Sequence, residues 1–188
     1  MRIYKISLFV ILIITLIVPS GYSQQVKSIG IQAGTFFQEG DWTTGINSDV
    51  CVNINKKGDR FVFQPFAGFK YNSVSKTLDN IDFDLKFSNF VFGINFLYII
   101  KTFSKNDGIY IGPGLSYNVI THDCLNSYSG GGKPELKEIS DNKIGFGVLL
   151  DYIHNFGKVS ALFESKYEYM HGGYNNVNAS LGLLINLK

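Results

Sequence analysis

Cysteine, proline and charge are all scarce in this chain of 188 residues, which has 2 cysteines, 4 prolines and 17% charged residues. Cys51 and Cys124 allow at most one disulfide, and with three scattered histidines they give no metal-ligand spacing. No linker, low-complexity run or composition break divides the chain, so one domain is expected. No long run of one charge sign is present either. That excludes a nucleic-acid footprint, and the sequence shows no polybasic membrane segment.

The one long apolar block is Ile6 to Val18, preceded by Arg2 and Lys5 and followed by Pro19-Ser20-Gly21-Tyr22-Ser23. A basic start, an apolar middle and a small-residue exit read as a secretory signal peptide over residues 1–23, cut before Gln24. The block is short for a transmembrane anchor, and no cysteine follows it as in a lipoprotein. Cleavage removes Arg2 and Lys5 from the 17 basic residues and leaves 15 against 15 acidic ones. Residues 24–188 then form the single mature domain.

What is abundant is alternation. Gly108 to Ile120 sets Ile109, Ile111, Pro113, Leu115, Tyr117 and Val119 on one face against Tyr110, Gly112, Gly114, Ser116 and Asn118 on the other. That is the period of a strand with one apolar face. The pattern recurs about eight times: Ser28–Phe37, Ile46–Asn55, Arg60–Asn72, Phe83–Ile100, Gly108–Ile120, Lys143–His154, Val159–Tyr169 and Val177–Leu187. Each repeat is about the ten residues that a tilted strand needs to cross a bilayer. In Phe83–Ile100 the apolar phase changes, which predicts a bulge near Ser88 and Asn89. Pro65 and Pro113 each remove a ladder donor, so a bulge or a missing hydrogen bond is expected beside them.

The connections alternate too. Short turns near 56–59, 101–107 and 155–158 alternate with loops 38–44, 73–82, 121–142 and 171–176. This suits a membrane barrel whose short turns face the periplasm. The alternative is a soluble lipocalin-like barrel, and the polar face decides against it. That face is rich in glycine (Gly30, Gly34, Gly68, Gly112, Gly145), which fits a narrow lumen better than a wet exterior. Aromatics stand at both rims of the apolar face: Phe37, Tyr71, Tyr167 and Tyr169 near the loops, and Phe61, Tyr98 and Tyr152 near the turns. The expected fold is an all-β, eight-stranded, antiparallel up-and-down transmembrane β-barrel.

Phe63-Gln64-Pro65 through Gly68 and Tyr71, then Tyr110-Ile111-Gly112-Pro113-Gly114 through Tyr117, then Gly145 through Tyr152 carry a resemblance. The chain resembles the small outer-membrane β-barrel (porin-like, OmpA/OmpX-type) family of Gram-negative bacteria. The resemblance implies an outer-membrane barrel and no particular activity.

On the face expected to turn inward, Asp49, Lys70, Asp151, Glu164, Lys166 and Glu168 aim both signs of charge into a space only wide enough for side chains. They are the candidate residues for a paired lumen network, with Glu168 and Lys70 nearest the outer rim, where Glu168 is expected to be hydrated. Cys51 lies on this face and Cys124 in the longest loop, so two free thiols are expected. His122-Asp123 and His171 have no spacing that makes a catalytic triad with the nearby serines. Ser129-Gly130-Gly131-Gly132-Lys133-Pro134 lacks both the first glycine and the final hydroxyl of a phosphate loop. Gly145-Phe146-Gly147 lies within a strand and makes no dinucleotide turn. No catalytic, cofactor or metal site is therefore expected. The functions left open are a surface-interaction scaffold binding a partner through its outer loops, a small channel, and a lipid-modifying enzyme of the outer leaflet. Outer-membrane lipid is the expected surroundings, and no nucleic acid is expected as partner.

Overall fold

The structure is a computed structural model that describes residues 24–39, 43–56, 60–78, 81–104, 107–128 and 135–187. The signal-peptide reading of 1–23 and the glycine run at 129–134 lie outside the described residues. The strands are β1 (Gln24–Gln38), β2 (Thr43–Lys56), β3 (Phe61–Leu78), β4 (Ile81–Ser104), β5 (Asp107–Tyr128), β6 (Glu135–Asn155), β7 (Val159–Met170) and β8 (Asn176–Asn186). Each pairs antiparallel with the next, and β1 closes on β8 to make an eight-stranded barrel. Closure leaves no sheet edge in the barrel wall.

The alternation sorts the side chains as the sequence implies. Ile31, Ile46, Val50, Phe90, Leu115, Phe146, Leu181 and Leu183 face outward and are exposed. Gln32, Asn47, Asp49, Gln64, Lys70, Asn95, Ser116 and Asn178 face inward and are buried. The rim aromatics Phe37, Tyr167 and Tyr169 at one end, and Phe61, Tyr98 and Tyr152 at the other, are all exposed on the outer face. Such an inside-out distribution places the apolar band in lipid. Inward glycines make room for large neighbours: a Cβ on Gly145 would stand 2.7 Å from Glu168 Oε1.

Two expectations about the strands need correction. The stretches 73–82 and 121–142 are mostly strand, since β3 and β4 pair as far as Leu78↔Ile81 and β5 and β6 as far as Asn126↔Glu135. Above the membrane band both faces meet water, so the apolar period ends while backbone pairing continues. Cys124 is accordingly on a strand, opposite Leu85 and Lys137, whereas Cys51 is a free thiol buried in the barrel.

No bulge occurs at Ser88 and Asn89, where the β3–β4 register is continuous. The apolar phase changes there because Phe87 turns into the lumen while Phe90, Phe92 and Phe96 face lipid. The irregularities fall instead at Val26/Ser28, Ile99/Lys101 and Thr102/Ser104, all near the short turns.

At the prolines the register is kept and the pairing is interrupted on one side. β2 and β3 pair at Cys51↔Phe66 and next at Ile54↔Phe63, skipping the pair at Pro65. β4 and β5 pair at Asn95↔Gly114 and next at Tyr98↔Ile111, skipping Pro113. A missing donor explains both gaps.

Candidate functional site: the lumen and the projecting sheet

All six charged residues singled out in the sequence face the lumen and are buried. Lys70 on β3 reaches across to β7, where its Nζ lies 2.7 Å from Glu168 Oε2, and it also donates to Asn176 Oδ1 at 2.9 Å. Glu168 is 0% exposed, so it is not a hydrated rim residue. The lumen is closed above its level by Phe36, Phe87, Ile120 and Met170, which pack together with Tyr174 against them. The second Glu168 oxygen accepts a hydrogen bond from Ser116 Oγ, which is itself fixed by Asn118 Nδ2 at 2.9 Å, and Asn89 Nδ2 donates to Asn118 Oδ1 at 2.8 Å.

Lys166 Nζ is 4.0 Å from Glu168 Oε1 and 4.3 Å from the centroid of the Phe66 ring. Asp49 accepts from Asn47 at 3.4 Å, and Gln32 hydrogen-bonds to both Asp49 and Glu164. Asp151 and Glu164 stand opposite each other across β6 and β7. Among the described residues, neither Asp151 oxygen nor Glu164 Oε2 has a hydrogen-bond partner. The structure thus joins Lys70, Lys166 and Glu168 directly and leaves Asp151 outside that connected set.

Residues that charge alone did not single out complete the layer. Asn95 donates to Gln64 at 2.7 Å, Gln64 to Asn53 at 3.0 Å, and Asn53 to Ser28 at 3.0 Å, a chain running across β4, β3, β2 and β1. The signal was available as repeated Asn and Ser at inward positions. Toward the short turns a second apolar cluster (Cys51, Val62, Leu97, Tyr110, Leu149 and Leu162, among others) fills the section. Two apolar clusters therefore bracket the charged part of the layer, while Asn53 and Ser28 lie level with the second cluster. The cavity within that layer, lined by Asp49, Phe66, Lys70, Glu164 and Lys166, has a volume of about 10 Å³. That is no more than the room of one water.

Outside the lumen the most prominent feature is a sheet. Strands β3 to β6 run for 18, 24, 22 and 21 residues, against 11 to 15 for the other four. They continue past the loop end of the barrel as a four-stranded extension. β7 first pairs with β6 at Met170↔Gly145, so residues 135–144 of β6 have β5 on one side and no described strand on the other. Inside the mouth, His122 packs 5.2 Å from Phe87 and 5.3 Å from Tyr174 between ring centroids. Asp123 points to the opposite face of β5 by strand alternation, and His171 is exposed in the β7–β8 turn. At the same mouth Asp141 and Lys143 pair at 2.9 Å, and the Lys143 hydrogen bond holds the Asp141 carboxyl below its ordinary range.

No protein-family model matches the chain, and no curated protein does. Solved structures do. A major outer membrane protein from Thermus thermophilus superposes with a TM-score of 0.58 at 12% identity, covering 88% of this chain and all of that one (100%). Neisserial surface protein A gives 0.51 at 15% identity, covering 88% of this chain and 99% of that one. Ail, the attachment invasion locus protein of Yersinia pestis, gives 0.50 at 13% identity with the same coverages, 88% and 99%. At such identities the likeness is one of fold. The chain therefore has the fold of the small eight-stranded outer-membrane barrels, and its apolar exterior and filled lumen are those of a barrel that spans a membrane.

Proposed function

We propose that this protein is a closed outer-membrane scaffold whose projecting β3–β6 sheet is presented to a partner outside the cell. The observation that carries the reading is the β6 edge at residues 135–144, which pairs with no described strand and is raised above a barrel that is itself closed to the sides. An open row of backbone donors and acceptors can take up an extended segment of another chain. The partner surface named in the sequence as loops 38–44, 73–82, 121–142 and 171–176 is then mainly this sheet.

The channel reading is disfavoured by the two apolar clusters and the filled polar layer between them. Packing of His122 into an aromatic cluster, away from Asp123, supports a non-enzymatic role. Two measurements test the proposal. Reconstituted in a planar bilayer, the protein is expected to show no steady conductance, and a stable, reproducible current would promote the channel. A photo-crosslinking residue in place of Ser140, on the edge, is expected to give protein adducts on intact cells, while one in place of Ile111, in the lipid band, gives none. Absence of adducts from position 140 would reject the partner surface.

A further inference from the structure

The mature sequence is electrically balanced, but the fold is not. At the turn end of the barrel one cation stands at each approach to the rim: Lys27 at the start of β1, Arg60 before β3, Lys101 near the end of β4 and Lys158 before β7. Arg60, Lys101 and Lys158 are exposed and Lys27 is half-buried. Their backbones are pinned, since Arg60 O, Lys158 O and Lys27 O accept from Ile99, Asn186 and Leu187 N at 2.8, 2.9 and 2.7 Å. Asp107, the acid at this end whose side chain is described, is buried and lies 3.3 Å from His154 Nδ1. In sequence the same connections also carry Lys56, Lys57 and Lys105 against Asp59.

The loop end is the reverse. Glu39, Asp84, Asp123 and Asp141 all reach its surface, and of its cations with described side chains Lys143 is taken up by Asp141, leaving Lys86.

We infer that the turn end is a binding surface for the anionic headgroups of the phospholipid leaflet it faces, on the periplasmic side in an outer-membrane barrel. The cations sit where headgroup phosphates lie, directly beside the exposed rim aromatics Phe61, Tyr98, Phe103 and Tyr152. Arg60 Nη1 donates to Tyr98 OH at 3.2 Å, and Lys101 Nζ is 5.0 Å from the Phe103 ring centroid. Both side chains therefore lean on the belt and carry their charge to its edge. The cations are spread around the circumference, with at least one at each of the three short turns and one at the start of β1. That spacing suits separate small headgroups better than one macromolecule, which needs its charges gathered on one patch. The inference is independent of the partner proposed for the opposite end.

The test is the association of spin-labelled phosphatidylglycerol and phosphatidylcholine with the full-length mature barrel in vesicles of the zwitterionic lipid. At low salt we expect phosphatidylglycerol to be preferred by about fivefold, the scale of one cation near an anionic lipid surface. The preference should fall markedly in the triple variant Arg60→Gln, Lys101→Gln, Lys158→Gln, which leaves Lys27 and the turn lysines, shrink in roughly 1 M salt for the wild type, and survive Lys86→Gln at the other end. The salt arm needs no variant to fold. An absence of preference in the wild type, or one unchanged by both salt and the triple variant, would overturn the inference. So would retention on isolated peptidoglycan without any lipid preference, which would point to a periplasmic polymer instead.

Discussion

At the scale of single residues, Lys70 and Glu168 enter the lumen as a pair, whereas Asp151 is buried in the same lumen with neither oxygen hydrogen-bonded among the described residues. Lys70 and Glu168 are 98 positions apart and meet at 2.7 Å, in a section sealed from above by Phe36, Phe87, Ile120 and Met170. Replacing Lys70 by Met leaves the Glu168 carboxylate with Ser116 and a more distant Lys166, and is expected to cost about 3 to 5 kcal/mol. The double variant Lys70→Met, Glu168→Gln should regain at least half of that, because no uncompensated charge then remains. Denaturant unfolding in lipid vesicles measures both. A single variant within about 1 kcal/mol of wild type would show that the pair carries no such role. Inward charge was legible in the sequence by parity. Which partner each charge meets was not, because cross-barrel distance has no trace in a period of two. Glu168 looked like a rim residue for the same reason: sequence position says how far along a strand a group lies, and not that side chains from β1, β4 and β5 cap it.

At the scale of elements, each strand has one face for lipid and one for the lumen. Val50 and Leu183 are half-exposed on the lipid face, and Val50→Arg or Leu183→Arg should destabilise the folded barrel by roughly 2 to 4 kcal/mol. Asn47→Ser, on the inner face, loses one donor to Ser180 and should cost about 1 kcal/mol. Equal effects at the three sites, read from folding into vesicles, would refute the face assignment. Pro65 offers a finer probe of the ladder, because the β2–β3 pairing skips it with the register unchanged. Pro65→Val should restore a donor and stabilise by about 1 kcal/mol, seen as a raised unfolding midpoint. A lowered midpoint would mean that the gap has another cause. Strand existence and order were readable from alternation. Strand length was not, because hydrophobic period reports the membrane band and falls silent where β3 to β6 run on into water.

At the scale of the whole molecule, closure makes the barrel cooperative: β1 pairs with β8, and every strand in the wall has two neighbours. Extracted without boiling, the protein should migrate on a denaturing gel at a different apparent mass from the boiled sample. Mobility that never responds to heat, together with recovery in the soluble periplasmic fraction, would contradict the membrane fold. The sequence by itself determined the number of strands, their antiparallel up-and-down order and which face meets lipid. These follow from side-chain period and connection length, both of which are local. Only the tertiary structure decided the two apolar seals, the pairing of Lys70 with Glu168, the projecting sheet and the ring of cations at the turn end. Each of these depends on residues from different strands arriving at one height around a closed cylinder. That height is set by the stagger between neighbouring strands, which no single segment contains.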